Sequence, residues 1–192
     1  AFGLGVANGS VTLSGATQKN LGGAMTWNGN VSMTGGTVML HSGAVTGSGT
    51  VSIDGATTIQ SRLDFGRSSI SNRTVINSPL TLTCASSASF ELTGLVTGNG
   101  GITTTGAGTV RLKGTSTDGV STLSGTLAVT NTGTTEVFSA ALGSLTPGIS
   151  SGSILRFINT VDGTFAGPIS GAGGVVISAS DRKSTRLNSS HT

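Results

Sequence analysis

The chain has 192 residues, a length that suits one domain. Only 9% of them are charged while glycine supplies 32 and tyrosine none, and the polar remainder is interleaved with Val, Ile and Leu, which excludes the highly charged, weakly hydrophobic class of disordered chains. The formal charge of +3 is no phosphate footprint either: Asp181 to Thr192 carries +2 of it, and Lys19, Arg62, Arg67, Arg73, Arg111, Lys113 and Arg156 form no dense basic tract, so nucleic-acid binding is not expected.

In chain order, Val11-Thr-Leu13, Met25-Thr-Trp27, Val31-Ser-Met33 and Val38-Met-Leu40 alternate with period two behind Gly or Asn, the pattern of short strands with one buried face. Trp27 and the methionines read as core, and His41 as a solvated strand-edge residue. Thr57 to Ser71 is less regular and holds the one local charge cluster, Arg62, Asp64 and Arg67. Arg62 and Asp64 share a strand face and are expected to pair outside. A solvated face is the stronger expectation for the three; the functional alternative is a surface carbohydrate contact. Pro79, lacking an N–H, belongs at a strand start, and Cys84 packs as a small hydrophobe at a strand end. Asn8, Asn30 and Asn72 begin glycosylation sequons, which arise often by chance in such a composition.

One phrase recurs: Gly43-Ala-Val45-Thr-Gly47-Ser-Gly49-Thr-Val51, Gly94-Leu-Val96-Thr-Gly98-Asn-Gly100-Gly-Ile102 and Gly167-Pro-Ile169-Ser-Gly171-Ala-Gly173-Gly-Val175. Each is a strand, a glycine turn and the next strand's first apolar residue. The offsets from Gly43 to Gly94 and from Gly94 to Gly167 equal two and three steps of roughly 25, a solenoid period. Apolar positions at Met25, Val51, Ile76, Ile102, Leu127, Ile154 and Val175 follow that step. The expectation is an all-β fold, a parallel β-helix of roughly seven coils of about 25 residues over 1–180, with coils stacked about 4.8 Å apart. A β-sandwich is the structural alternative.

The stretch Gly94 to Thr130 resembles the autotransporter-associated β-strand repeat, also called the passenger-associated transport repeat. The resemblance lies in Gly98-Asn-Gly100-Gly101-Ile102-Thr103, Gly106-Ala-Gly108-Thr109-Val110-Arg-Leu112-Lys-Gly114 and Gly125-Thr126-Leu127-Ala-Val129. It departs where Thr104 stands in place of the usual lysine and where Thr115 to Thr122 lacks an Asn-x-Tyr-x-Gly element. Residues 94–130 read as one repeat-like unit and 165–180 as the start of another. Asp181 to His191 resembles a translated sequencing-library adapter and is expected to be a non-native, disordered tail outside the fold. The chain thus reads as a piece of a longer open reading frame.

Chemistry is sparse. The glycine turns lack the sixth-position glycine and the helix of a dinucleotide loop, no phosphate-loop Gly-Lys-Ser/Thr occurs, and one histidine outside the tail with one cysteine argues against zinc ligation or a Ser-His-Asp triad. No cofactor, metal or catalytic residue is expected. The resemblance implies an extracellular passenger segment of an autotransporter-like bacterial surface protein, a non-catalytic adhesive rod. Its implied partners are a host-cell or matrix surface or a polysaccharide, and its translocator β-barrel lies elsewhere in the parent; no membrane span is expected in this chain. A β-helical polysaccharide-binding or -degrading enzyme is the alternative, which would gather Asp54, Asp64 and Arg62 on one face. A third class, an ice- or surface-binding solenoid, would need ranked Thr-x-Thr; Thr81-x-Thr83 and Thr103-x-Thr105 are present, with no regular ladder visible in the sequence.

Overall fold

The computed structural model describes residues 5–41, 43–62, 66–114, 122–160 and 163–178. Glycine turns and short β-branched strands wind the chain into three-sided coils, and each strand pairs in parallel with its counterpart one coil away. Side I is a sheet of nine strands: Val6–Ala7, Met25–Trp27, Gly43–Thr46, Arg67–Ile70, Ser89–Leu92, Thr109–Leu112, Thr134–Val137, Ile154–Phe157 and Gly174–Ile177. Side II holds Val11–Leu13, Val31–Met33, Thr50–Ile53, Arg73–Ile76, Val96–Gly98 and the start of Thr122–Val129. Side III runs through Lys19–Leu21, Gly36–Leu40, Thr57–Ser61, Leu80–Cys84, Ile102–Gly106, the end of Thr122–Val129, Ser144–Ile149 and Ser170–Gly171. The fold is the expected parallel β-helix.

Inward side chains stack on their own kind. On side I, Met25, Val45, Ile70, Leu92, Leu112, Val137, Phe157 and Ile177 stand in one register row. Leu13, Met33, Ile53 and Ile76 do so on side II, and Val38, Ile59 and Leu82 on side III. These rows meet in one continuous core that also takes in Trp27, as expected. Each fully buried aliphatic side chain adds about 1.5–3 kcal/mol relative to exposure. The gap between Leu92, Val96, Ile102, Leu112 and Leu123 has no room for a water molecule.

The coil is shorter than the sequence suggested. Most coils on side I advance the chain by only about 20 to 22 residues, as the pairing of Val6 with Thr26, Arg67 with Ser89 and Thr134 with Ile154 shows. Two steps are longer, Gly43 to Ser68 and Thr109 to Thr134, and these contain residues 62–66 and 113–121. Eight steps separate the nine strands, giving a rod about 38 Å long.

The cause is where the recurring glycine phrase sits. Its three copies turn three different corners: Gly47 from side I to II, Gly98 from II to III, and Gly171 from III to I. The offset from Gly43 to Gly94 is therefore two coils plus one side, and that from Gly94 to Gly167 is three coils plus one side. Both imply a coil of about 22 residues, which is the step from Arg67 to Ser89. The strand-opening positions chosen from the sequence likewise mix sides, Met25 lying on side I and Val51 on side II.

Each corner repeats one hydrogen bond. The second glycine of Gly-x-Gly donates its N–H to a carbonyl of the coil below: Gly49 to Trp27 at 2.9 Å, Gly100 to Ile76 at 2.8 Å, Gly108 to Cys84 at 2.9 Å and Gly173 to Ile149 at 3.0 Å. The first glycine has a positive φ, +127° at Gly47 and +118° at Gly98, and a Cβ there would strike that same carbonyl. Only glycine meets both demands.

Gly98→Ala is therefore expected to lower the unfolding free energy by about 2–3 kcal/mol. Gly152→Ala, also at positive φ but facing open space, costs about 1 kcal/mol from backbone strain alone; urea denaturation of the two variants checks the difference. Cys84, fully buried at the end of its strand, has its thiol pushed up to about 11 by burial. A thiol reagent at pH 8 is expected to leave the native protein unlabelled and to label the denatured chain fully.

Candidate functional site

Four strands of side I each carry one charge between two inward-facing residues: Phe90-Glu91-Leu92, Val110-Arg111-Leu112, Thr135-Glu136-Val137 and Leu155-Arg156-Phe157. Period-two alternation turns all four charges outward, and the register then stacks them as Glu91, Arg111, Glu136, Arg156 on successive coils. Like charges at such separations would repel by about 3–4 kcal/mol per pair at an effective dielectric near 20. Alternating signs convert that cost into attraction.

Glu91 is the hub. It is 5% exposed, and its Oε1 accepts from Arg67 Nε at 2.9 Å, from Arg67 Nη2 and from Arg111 Nη1 at 3.2 Å. Lys113 Nζ lies 3.4 Å from its Oε2. Glu136 accepts from Arg111 Nε at 2.5 Å through Oε2 and from Arg156 Nη1 at 3.3 Å through Oε1. Burial by itself would raise the Glu91 pKa, but the hydrogen bonds from Arg67 and Arg111 and the charges of Lys113 and Arg67 outweigh it and hold the carboxyl below the usual glutamate value. Arg111 is raised: burial opposes its charge, and Glu136 and Glu91 more than restore it. Four cations thus surround two carboxylates, leaving a surplus of two positive charges, and the buried Nε of Arg156 has no hydrogen-bond partner.

The sequence-derived cluster is divided by the structure. Arg67 belongs to the ladder, where its guanidinium is bound to Glu91 while its side chain is 61% exposed. Arg62 is an exposed residue just past Thr57–Ser61 on side III, and Asp64 lies outside the described residues. Asp54 is on side II, where Ser32 Oγ donates to it at 2.6 Å and Asn77 Nδ2 at 2.9 Å, and these bonds lower its pKa. Asp54, Arg62 and Arg67 therefore occupy different faces. Among the described residues, no group of three or more His, Cys, Asp or Glu is placed to hold a metal.

One sequence expectation needs correction, and two others gain detail. His41 is half-buried and hydrogen-bonds Asn20 Oδ1 at 3.1 Å rather than standing solvated. Asn72 is buried and donates to the carbonyls of Trp27 and Gly49, so that sequon is closed to a glycan in the folded protein. Among the described residues Thr-x-Thr stacks on itself only where Thr81 and Thr83 meet Thr103 and Thr105, the hydroxyls of Thr83 and Thr105 being 2.7 Å apart, but a single row does form on side III: Thr37, Thr58, Thr81 and Thr103 stand in outward register. It was hidden because neither Thr37 nor Thr58 is followed by a second Thr at the next outward position.

Comparison with known proteins finds no matching family, no matching curated protein and no matching solved structure.

The ladder makes acid stability testable. A carboxyl whose folded pKa is depressed contributes stability that is complete above its unfolded pKa and is lost as pH falls through the folded one. Unfolding midpoints are therefore expected to drop as pH falls below about 4.5, the ordinary glutamate value. Glu91→Gln, less stable at pH 7, should show a shallower drop, with Asp54 supplying what remains; identical slopes in both proteins would refute the role of Glu91.

Proposed function

We infer that the chain is a segment of an extracellular, non-catalytic β-helical rod, a passenger of autotransporter type displayed on a bacterial surface. The observation that carries this reading is the use made of the ionisable side chains. The carboxylates of side I are each engaged by two or more cations that join adjacent coils, and Asp54 bridges the coils of Ser32 and Asn77. Charge here ties coil to coil along the axis. A polysaccharide-degrading site would instead aim carboxylates together at one substrate bond.

The resemblance of residues 94–130 to the passenger repeat supports the surface setting. Those residues run from side II of one coil to side III of the next, five sides or about one and two-thirds turns. Thr104, where the repeat carries lysine, points inward and is fully buried, with its hydroxyl 2.8 Å from that of Thr135. A lysine could not be charged there without a partner, so the departure from the repeat fits this core. In this reading the adhesive partner is a host-cell or matrix surface or a polysaccharide, and a translocator barrel belongs to the parent protein.

Display tests it. The full chain, placed between a secretion signal and a translocator β-barrel in a Gram-negative host, is expected to reach the outer surface and to be shaved from intact cells by protease. Retention inside cells that display a control passenger normally would count against the reading.

A further inference from the structure

The ladder on side I holds more positive charge than its own geometry consumes. Glu91 is met by Arg67, Arg111 and Lys113, although one guanidinium suffices to neutralise it, and Glu136 is met by Arg111 and Arg156. The surplus cations are also the accessible ones: the side chains of Arg67 and Arg156 are 61% and 37% exposed, those of Glu91 and Glu136 only 6% and 11%. Viewed from solvent, the face is cationic.

The cations recur along the rod. Arg67 lies on one coil, Arg111 two coils on, and Arg156 two coils further, with a glutamate on each coil between. Two coils are about 9.6 Å. A phosphodiester chain repeats its charge far more closely, about every 3.4 Å along one strand of a duplex, and would set phosphates against Glu91 and Glu136. The nearby aromatic residues Phe90 and Phe157 are buried in the core, so the face offers bases nothing to stack upon. Beside the charges runs a row of hydroxyls, Ser89, Thr109 and Thr134.

We propose that side I binds a linear acidic polysaccharide carrying one carboxylate per disaccharide, laid along the rod axis over Arg67, Lys113, Arg111 and Arg156. Its carboxylates sit over the cations on alternate coils, and the neutral sugars between them lie over the glutamates and against the hydroxyl row. The partner's class rests on the surface-rod reading, but the two fail separately: display on cells tests that reading, and binding by the purified protein tests this one.

The test is titration calorimetry of the full chain with a hyaluronan decasaccharide at low salt. Binding is expected, weakening as salt is raised. Arg67→Gln combined with Lys113→Gln removes the surplus around Glu91 while leaving it paired with Arg111, and should weaken binding about tenfold or more. Glu136→Gln frees Arg111 and Arg156 and should tighten it. Because these variants act in opposite directions, a general loss of folding cannot imitate the expected pair of results. No binding by the parent chain, equal binding by all variants, or binding as tight to a neutral glucan, polygalacturonate or single-stranded DNA would overturn the proposal.

Discussion

Parallel, in-register stacking governs everything else in this molecule. Each strand hydrogen-bonds the strand one coil away at a spacing of about 4.8 Å, so every residue rests on one a whole coil distant in sequence, as Val6 does on Thr26 and Gly43 on Ser68. Identical or similar side chains then stack into rows. The core rows are aliphatic because a polar residue stacked there would need an equally buried partner. Thr104, Thr135 and Asn131 supply one another with such partners, hydrogen-bonding among themselves within the core.

The same stacking explains the corners and the charges. At a corner the coils approach so closely that a side chain on the turning residue would collide with the carbonyl beneath it, and glycine with a positive φ resolves the collision while aiming the next N–H at that carbonyl. Asn72 solves the same problem differently: its side-chain amide reaches the carbonyls of Trp27 and Gly49. On the outer face, stacking forces charges into one line, and only alternating signs are tolerable at that distance. Glu91, Arg111, Glu136 and Arg156 obey this.

Fold class was legible because period-two alternation and repeated glycine turns are local signals, present in strands such as Met25-Thr-Trp27 and Val31-Ser-Met33. The coil length was not, because the glycine phrase marks a corner, and the sequence does not state which corner. The ionic ladder was lost with it. The steps from Glu91 to Arg111 and from Glu136 to Arg156 are shorter than the step from Arg111 to Glu136, so a uniform period aligns only that middle pair. The apolar-charge-apolar pattern around each was visible, but local pattern alone does not pair distant strands. Arg62, Asp64 and Arg67 drew attention instead because they are close in sequence, whereas the side chains that stack in a solenoid, such as Glu91 and Arg111, are a whole coil apart.

That one corner phrase serves all three corners gives the rod a symmetry finer than its coil. Rotating by a third of a turn and rising by a third of a coil, about 1.6 Å, carries one corner onto the next, an approximate three-fold screw. The molecule is in this sense a polymer of sides, each a strand and its turn. Among the described residues, the side I strand Gly174–Ile177 is the last of its sheet, with Val175 and Ile177 each 37% exposed. The edge of that strand is the same kind of edge that each of the three sides offers to the coil stacked upon it.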